Sequence, residues 1–565
     1  MSERTLNGIG VSEGIAVGPV VRLAEMPRPP FDEPKSANQK ESARRIRTAL
    51  EEVAVALEKQ AATADPSAKE ILEAGVMIAR DPGLAAAVDE RLATGAGAAQ
   101  ALTDAVDGYC DMLTQLGGYM AERVTDLRDV GARATCRLLG VPEPTIPTVK
   151  TPSVLVARDL APSQTAGLNP KKIVGFITSE GGRTGHTAIL AAQLGIPAVV
   201  GAPEALNLPE GKKVLLDGST GTVLLRPTES QITAARKQES TRAALCAEAS
   251  GPGSTKDGAR VQLLVNIGTP QDARAAAGTD VEGVGLFRTE FAYLDRAQAP
   301  TREEQTRMYT EVFEAFAGKK VVVRTLDAGA DKPLPFVPAV TEENPALGVR
   351  GLRLQRSVDS LLVVQLSAIA DAARQSSADV WVMAPMVATR ADAEIFTAAV
   401  RAVGLRTAGT MVEVPAAALR SRELLQICDF ASIGTNDLSQ YTFAADRMNG
   451  ALSGYLDPWQ PALLDLVAIT CEGACEAGPG EVGRIRPVGV CGEAAGDPLL
   501  ACVLVGLGVN SLSMAPSRVP RVRAALRAHD MATCRAMAAA ARRTSSAEAA
   551  REIVRLLAEP SVRDL

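Results

Sequence analysis

Beyond residue 256 the chain repeats one pattern eight times: a short apolar run, then a longer stretch of helical period. The runs are VQLLVNIG, GVGLFRTE, KVVVRTLD, VWVMAPMV, TAGTMVEVP, FASIGTND, RPVGVCGE and SLSMAP. Parallel strands need crossover helices and are buried on both faces, so they read as continuous apolar runs. Eight such units in about 300 residues predict a C-terminal (β/α)8 barrel of TIM type. Barrels build their sites at the C-terminal ends of the strands, and here those ends carry Asn266, Arg288, Arg324, Met386, Glu413, Asn436 with Asp437, Cys491 and Met514. Polar residues often end strands for no chemical reason. That does not explain two arginines, two carboxylates and a thiol on one rim.

The first half reads differently. Residues 5–23 alternate short apolar runs with glycines, as a strand or two would. From Ser36 to Leu139 the period is helical, with Ile46, Leu50, Val53 and Leu57 on one face. The turns ATADPS, ARDPG and ATGAG divide that block into an expected four helices. PSVLVARD, KIVGFITSE, PAVVG, KVLLDG and TVLLR then read as short strands of an α/β domain, into which the helices are inserted. A polar, Ala-rich helix ending in Gly, Pro and Ser spans 229–255 and reads as a hinge. The boundaries expected are 1–24 with 146–228 for the α/β domain, 25–145 for the insertion, 229–255 for the linker and 256–565 for the barrel.

At 565 residues the chain is too long for one core. A net charge of −6 and 3% aromatics, with no basic stripe, argue against a nucleic-acid partner. No leader pattern and no run of about 18 apolar residues is present, which predicts a cytoplasmic protein without membrane insertion. The nine cysteines lack CxxC spacing and read as reduced thiols.

Arginine suits carboxylate and phosphate, so two on neighbouring strands form an anion clamp. Glu413 and Asp437, on successive strands, suit Mg²⁺, which takes oxygen ligands and shares its shell with substrate and water. Lys332, Arg350, Arg353 and Arg447 supply further positive charge near the rim. Cys491, between a strand end and a glycine, is either a proton donor or a packed, inert thiol.

Only two histidines occur. His186 lies in GGRTGHTA, where glycines permit a tight turn, Thr187 can open the helix TAILAAQL, and Gly195 followed by Ile196-Pro197 ends it. A helix N-terminus stabilises phosphate and disfavours imidazolium, so a neutral nucleophilic nitrogen there suits a phosphohistidine. A histidine that merely hydrogen-bonds within its turn is the competing reading. His529, in the charged stretch RAALRAHDMA, reads as a solvated surface residue.

The stretches GIGVSEGIAVG, PSQTAGLNPKKIVGFITSEGGRTGHTAILAAQLGIPAVVG, GVGLFRTEF, RTLDAGADK, ENPALGVR, MVEVPAAA, FASIGTNDLSQYTFAADR and VGVCGEAAGD occur in that order. Together they resemble the Enzyme I family of the bacterial phosphoenolpyruvate:sugar phosphotransferase system, over essentially the whole length. The resemblance implies a swivelling phosphohistidine α/β domain with an inserted helical bundle, followed by the barrel. His186 would accept the phosphoryl group of phosphoenolpyruvate and pass it to the carrier protein HPr, with Thr165 supporting the histidine. Arg288, Arg324, Asn436 and Arg447 would hold the substrate, with Asn266, Lys332, Arg350 and Arg353 on or near the rim. Glu413 and Asp437 would bind Mg²⁺, and Cys491 would protonate the enolate. The insertion would dock HPr and the barrel would form a homodimer. Gly185 stands where the family more often has serine, and Ala330 where it has glycine, which puts only the phosphorylation rate in question. Two other readings use the same scaffold: an enzyme like pyruvate phosphate dikinase or phosphoenolpyruvate synthase, and a non-catalytic phosphoenolpyruvate sensor.

Overall fold

The architecture is that of a computed structural model, which describes the chain except residues 1–4, 13, 31–32, 37, 63–65, 117, 161–167, 183–185, 294–295, 297, 330–333, 335, 338–341, 448, 480–485 and 564. It forms two compact units, Met1–Ser240 and Thr241–Leu565, which divide within the helix Glu229–Glu248.

The first unit opens with three short strands, β1 (Thr5–Asn7), β2 (Ile9–Ser12) and β3 (Ile15–Arg22). Helices α1 (Gln39–Ala61), α2 (Pro66–Ala79), α3 (Pro82–Ala93), α4 (Ala98–Leu116) and α5 (Gly118–Leu139) follow. Among the described residues there are thus five helices where the turn signals predict four. Helix α5 runs back along α4: a Cβ on Gly131 would lie 2.7 Å from Val106, and Cys110 Sγ faces Val124 O. Asn38 and Asp81 cap α1 and α3 by accepting hydrogen bonds from first-turn N–H groups. Ile46, Leu50, Val53 and Leu57 are all buried, against Leu84, Leu102, Val106 and Val130. Each such side chain contributes about 1.5–3 kcal/mol by leaving water.

The chain then returns to the sheet with β4 (Ser153–Ala157), β5 (Ile173–Thr178), β6 (Ala198–Val200), β7 (Lys213–Asp217) and β8 (Thr222–Leu225). The eight strands lie in the order β1-β8-β7-β3-β4-β5-β6-β2. Strands β3 and β4 pair in parallel, Val20 opposite Val154, so the helical block is an insertion between adjacent strands. Strand β4 is buried throughout: Val154 and Val156 pack on one face with Val20 and Ile177, Leu155 and Ala157 on the other with Phe176 and Ala191.

The second unit is a closed parallel barrel of eight strands. They are β9 (Gln262–Ile267), β10 (Gly283–Arg288), β11 (Lys320–Arg324), β12 (Asp379–Ala384), β13 (Thr407–Val412), β14 (Phe430–Ile433), β15 (Val488–Val490) and β16 (Ser511–Met514). Each falls within one of the eight apolar runs, except that β12 begins one residue earlier, at Asp379, and β16 closes on β9. Three strand-to-helix turns carry a full capping box, at Thr269, Thr301 and Thr389. Among the described residues no helix is long and apolar enough to cross a membrane.

His529 corrects the surface reading. It is buried, follows the helix Val519–Ala528, and sits with its Nδ1 2.8 Å from Ala525 O and its Nε2 accepting from the Glu559 N–H. An acceptor Nε2 places the proton on Nδ1, so the ring is neutral and staples the C-terminal segment to this helix. The neighbouring charges misled the sequence reading, because Asp530 is occupied in capping the next helix.

Candidate active site

In the first unit the helix His186–Leu194 begins at the histidine itself, one residue before the start read from sequence. Thr187 is buried beside it; its Oγ1 donates to Asp159 Oδ1 at 2.7 Å and accepts from the Leu160 N–H. This ties the first turn of the helix to the end of β4, a role for Asp159 that the sequence did not reveal. At the other end Gly195 takes a φ of 63°, and the Ile196 N–H reaches Ala191 O, the cap that a left-handed glycine permits. Thr165, Gly185 and the His186 side chain lie outside the described residues.

In the second unit the rim residues converge. Arg288 and Arg324 end β10 and β11 and are register partners, so two guanidinium groups spring from adjacent strand ends. Arg288 is exposed, whereas Arg324 is buried with Nη2 2.6 Å from Glu290 Oε1 and Nη1 3.3 Å from Asp327 Oδ2. Burial works against the Arg324 charge, but Glu290, Asp327 and Glu413 outweigh it and hold the guanidinium charged. Its buried Nε has no hydrogen-bond partner among the described residues.

Asp327 is the centre of this network. It also takes both Nε and Nη2 of Arg350, at 3.0 Å for the closest contact, and Arg350 Nη1 reaches Asp437 Oδ1 at 3.3 Å. Arg447 Nη1 lies 3.5 Å from the other Asp437 oxygen. Tyr441 donates to Ala346 O and accepts from Arg350, pinning the segment before Arg350 to the helix Thr435–Phe443, which carries Asp437. Sequence reasoning missed Glu290, Asp327 and Tyr441. The first two stood in quoted motifs, FRTE and RTLD, two and three residues past the selected arginines.

Glu413 follows β13 and is buried, with Oε1 accepting the Met386 N–H at 2.6 Å. Burial, with the charges of Asp437 and Asp327, pushes its carboxyl up to about 8. Cys491 follows β15; its thiol faces Ile433 O at 3.6 Å, and burial pushes it above the usual thiol range, so it stays protonated. Asn266 donates to Cys491 O at 3.0 Å and accepts from Ser513 at 2.6 Å, which directs it toward the thiol's backbone. Asn436 Oδ1 accepts from the Glu493 N–H. Arg353 is not joined to the cluster; it donates to Leu347 O and Gly348 O. Lys332 and Ala330 lie outside the described residues.

Four carboxylates, Glu290, Asp327, Glu413 and Asp437, thus stand among Arg324, Arg350 and Arg447, with Arg288 at the edge. The acids consume much of the positive charge that a phosphorylated carboxylate would need, and Glu413 is repelled by two of them. A divalent cation at Glu413 and Asp437 would relieve both. Among the described residues no group of three or more His, Cys, Asp and Glu side chains is arranged to hold a metal. Two carboxylates fit Mg²⁺, which fills its remaining positions with water and substrate oxygens.

The descriptions "PEP-utilising enzyme, PEP-binding domain", "PEP-utilising enzyme, mobile domain" and "PEP-utilising enzyme, N-terminal" match residues 242–531, 149–221 and 7–123. The chain is 50% identical to a phosphoenolpyruvate-protein phosphotransferase of Streptomyces coelicolor, over 97% of this chain and 98% of that one. Proteins of the same name from Listeria innocua and Bacillus subtilis are each 36% identical, over 98% and 91% of this chain and 99% and 92% of theirs.

Proposed function

This chain belongs to the phosphoenolpyruvate-protein phosphotransferase family, and on that premise we propose that it passes the phosphoryl group of phosphoenolpyruvate to His186 and then to a histidine of HPr, opening the sugar phosphotransferase system. The observation that carries the reading is the register pair Arg288 and Arg324 on adjacent strand ends, beside the two carboxylates Glu413 and Asp437. Arg288, Arg324 and Arg447 neutralise the substrate's phosphate and carboxylate, and Asn436 orients it; Arg350 and Asn266 support the rim, and Lys332 and Arg353 add positive charge near it. Glu413 and Asp437 hold Mg²⁺. When bound, Mg²⁺ supplies charge neutralisation on the phosphoryl and enolate oxygens.

Phosphoryl transfer asks mainly for positioning and fixed charge. A neutral imidazole nitrogen of His186, supported by Thr165, forms the N–P bond while the P–O bond to the enolate breaks. Cys491, kept protonated by burial, gives its proton to the methylene carbon, producing pyruvate; water returns the proton to the thiolate. His186 and the barrel rim belong to different compact units, and the division of units within Glu229–Glu248 supports that helix as the swivel on which His186 serves both the barrel and HPr. The helical insertion, with Met77 and Met112 exposed, docks HPr, and the barrel, with Val363, Ile395 and Leu419 exposed, pairs with a second copy.

The test is a balance sheet of products. Chain, phosphoenolpyruvate, Mg²⁺ and HPr should yield phospho-HPr and pyruvate in equal amounts without nucleotide. A requirement for ATP would favour a dikinase, and binding without pyruvate release a sensor.

A further inference from the structure

Among the described residues three non-glycine positions have a positive φ: Arg226 at 52°, Met386 at 59° and Ala444 at 48°. An L-residue with an ordinary side chain disfavours that conformation by about tenfold, because Cβ crowds the following carbonyl. Such a backbone persists where its surroundings hold it, and it clusters at functional sites. At Met386 the hold is visible.

Met386 lies two residues past β12, in the turn that ends MAPM. Its N–H donates to Glu413 Oε1 at 2.6 Å, and both residues are buried. Its side chain lies against Gly351, where an added Cβ would stand 3.0 Å from Met386 Cγ, and its Sδ is 3.9 Å from the Tyr441 hydroxyl. The Leu352 N–H reaches Pro385 O, so the segment after Arg350 is bonded to the same turn.

We propose that Met386 is a positioning residue, whose left-handed backbone aims its N–H at Glu413 Oε1 and thereby fixes the orientation of the carboxyl assigned to the divalent cation. The inference rests on the assignment of Glu413 to Mg²⁺ in the proposed function. The angle φ sets how the 385–386 peptide, with its N–H, is turned relative to the chain beyond it. That chain is anchored: Val387 is buried and Thr389 caps the helix Arg390–Ala402. With both ends held, a return to an ordinary negative φ rotates the N–H by about 120° away from Glu413. A buried carboxylate deprived of its donor turns toward another partner. The left-handed conformation is therefore what keeps the Glu413 carboxyl oriented for a cation.

The experiment uses the full-length chain without substrate, titrated with Mn²⁺ as the probe and followed by the paramagnetic resonance of free Mn²⁺. Met386→Val, a β-branched residue that resists the left-handed region, should weaken Mn²⁺ binding about tenfold. Met386→Gly and Met386→Asn, which accept that region, should stay within about threefold of the parent. Met386→Gly losing as much as Met386→Val would assign the effect to side-chain packing and overturn the proposal, as would Met386→Val binding like the parent. Glu413→Gln separates the two layers: if it binds Mn²⁺ normally, the metal assignment fails; if it abolishes binding while Met386→Val does not, the positioning role alone fails.

Discussion

Asp327→Asn is the perturbation whose cost is best defined by the structure. Asp327 is 1% exposed and its carboxylate meets Arg350 through three contacts of 3.0–3.3 Å and Arg324 Nη1 at 3.3 Å. An asparagine keeps the shape and removes the charge, leaving two buried guanidinium groups short of one partner. Breaking a buried ion pair in this way costs about 3–5 kcal/mol. Arg324 keeps Glu290 and Arg350 keeps Asp437, so the lower end applies, about 3 kcal/mol. A unit of this size loses about 2 °C per kcal/mol, so the barrel transition should fall by about 6 °C in calorimetry of the full chain. Raising the salt from 0.15 to about 0.5 M should leave that difference in place, since a buried pair is little screened. The KM for phosphoenolpyruvate should rise as well, because Arg324 is freed to turn. A variant melting within about 1 °C of the parent would show that the carboxylate does not hold the arginines in place.

Cys491→Ser should slow pyruvate formation by about 10²–10⁴-fold, with little change in substrate affinity, and equal rates would remove its acid role. Ala444 takes a φ of 48° between the helix carrying Asp437 and Arg447; Ala444→Gly should leave the KM within about twofold, while Ala444→Val should raise it about tenfold. Burial pushes His529 below its ordinary 6.5, with Glu559 and Asp530 opposing the shift and Lys256 adding to it. The unfolded chain therefore takes up the proton first as pH falls: the contribution of the neutral ring is whole above about 6.5 and is lost below it, by up to about 1.4 kcal/mol per pH unit. Urea unfolding between pH 7.5 and 5.5 should show this slope in the parent and a flatter one in His529→Gln; parallel slopes would contradict it.

The parts of this molecule that a sequence exposes are those set by local pattern. The eight barrel strands were legible because parallel strands buried on both faces leave continuous apolar runs, and their ends lead into Arg288, Arg324, Glu413 and Cys491, with Asp437 on the first turn of the helix after β14. The insertion was legible because strand-like text stood on both sides of a helical block. What escaped depends on long-range partners. Asp327 acquires its importance from arginines at 324 and 350, and Met386, named at its strand end, takes its role from a carboxylate 27 residues away. The backbone of Met386 leaves no trace in composition, since methionine does not advertise a left-handed angle as glycine would. His529 was misread because charged neighbours imply solvent only when nothing folds over them, and here Glu559 does.

His186 is the proposed phosphoryl acceptor. Incubating the full chain with phosphoenolpyruvate labelled in its phosphate and with Mg²⁺, then measuring acid-labile protein-bound phosphate in the parent and in His186→Ala, tests it most directly. One labelled site in the parent, assigned to His186, and none in the variant are the expected result. Undiminished acid-labile labelling of His186→Ala would contradict it.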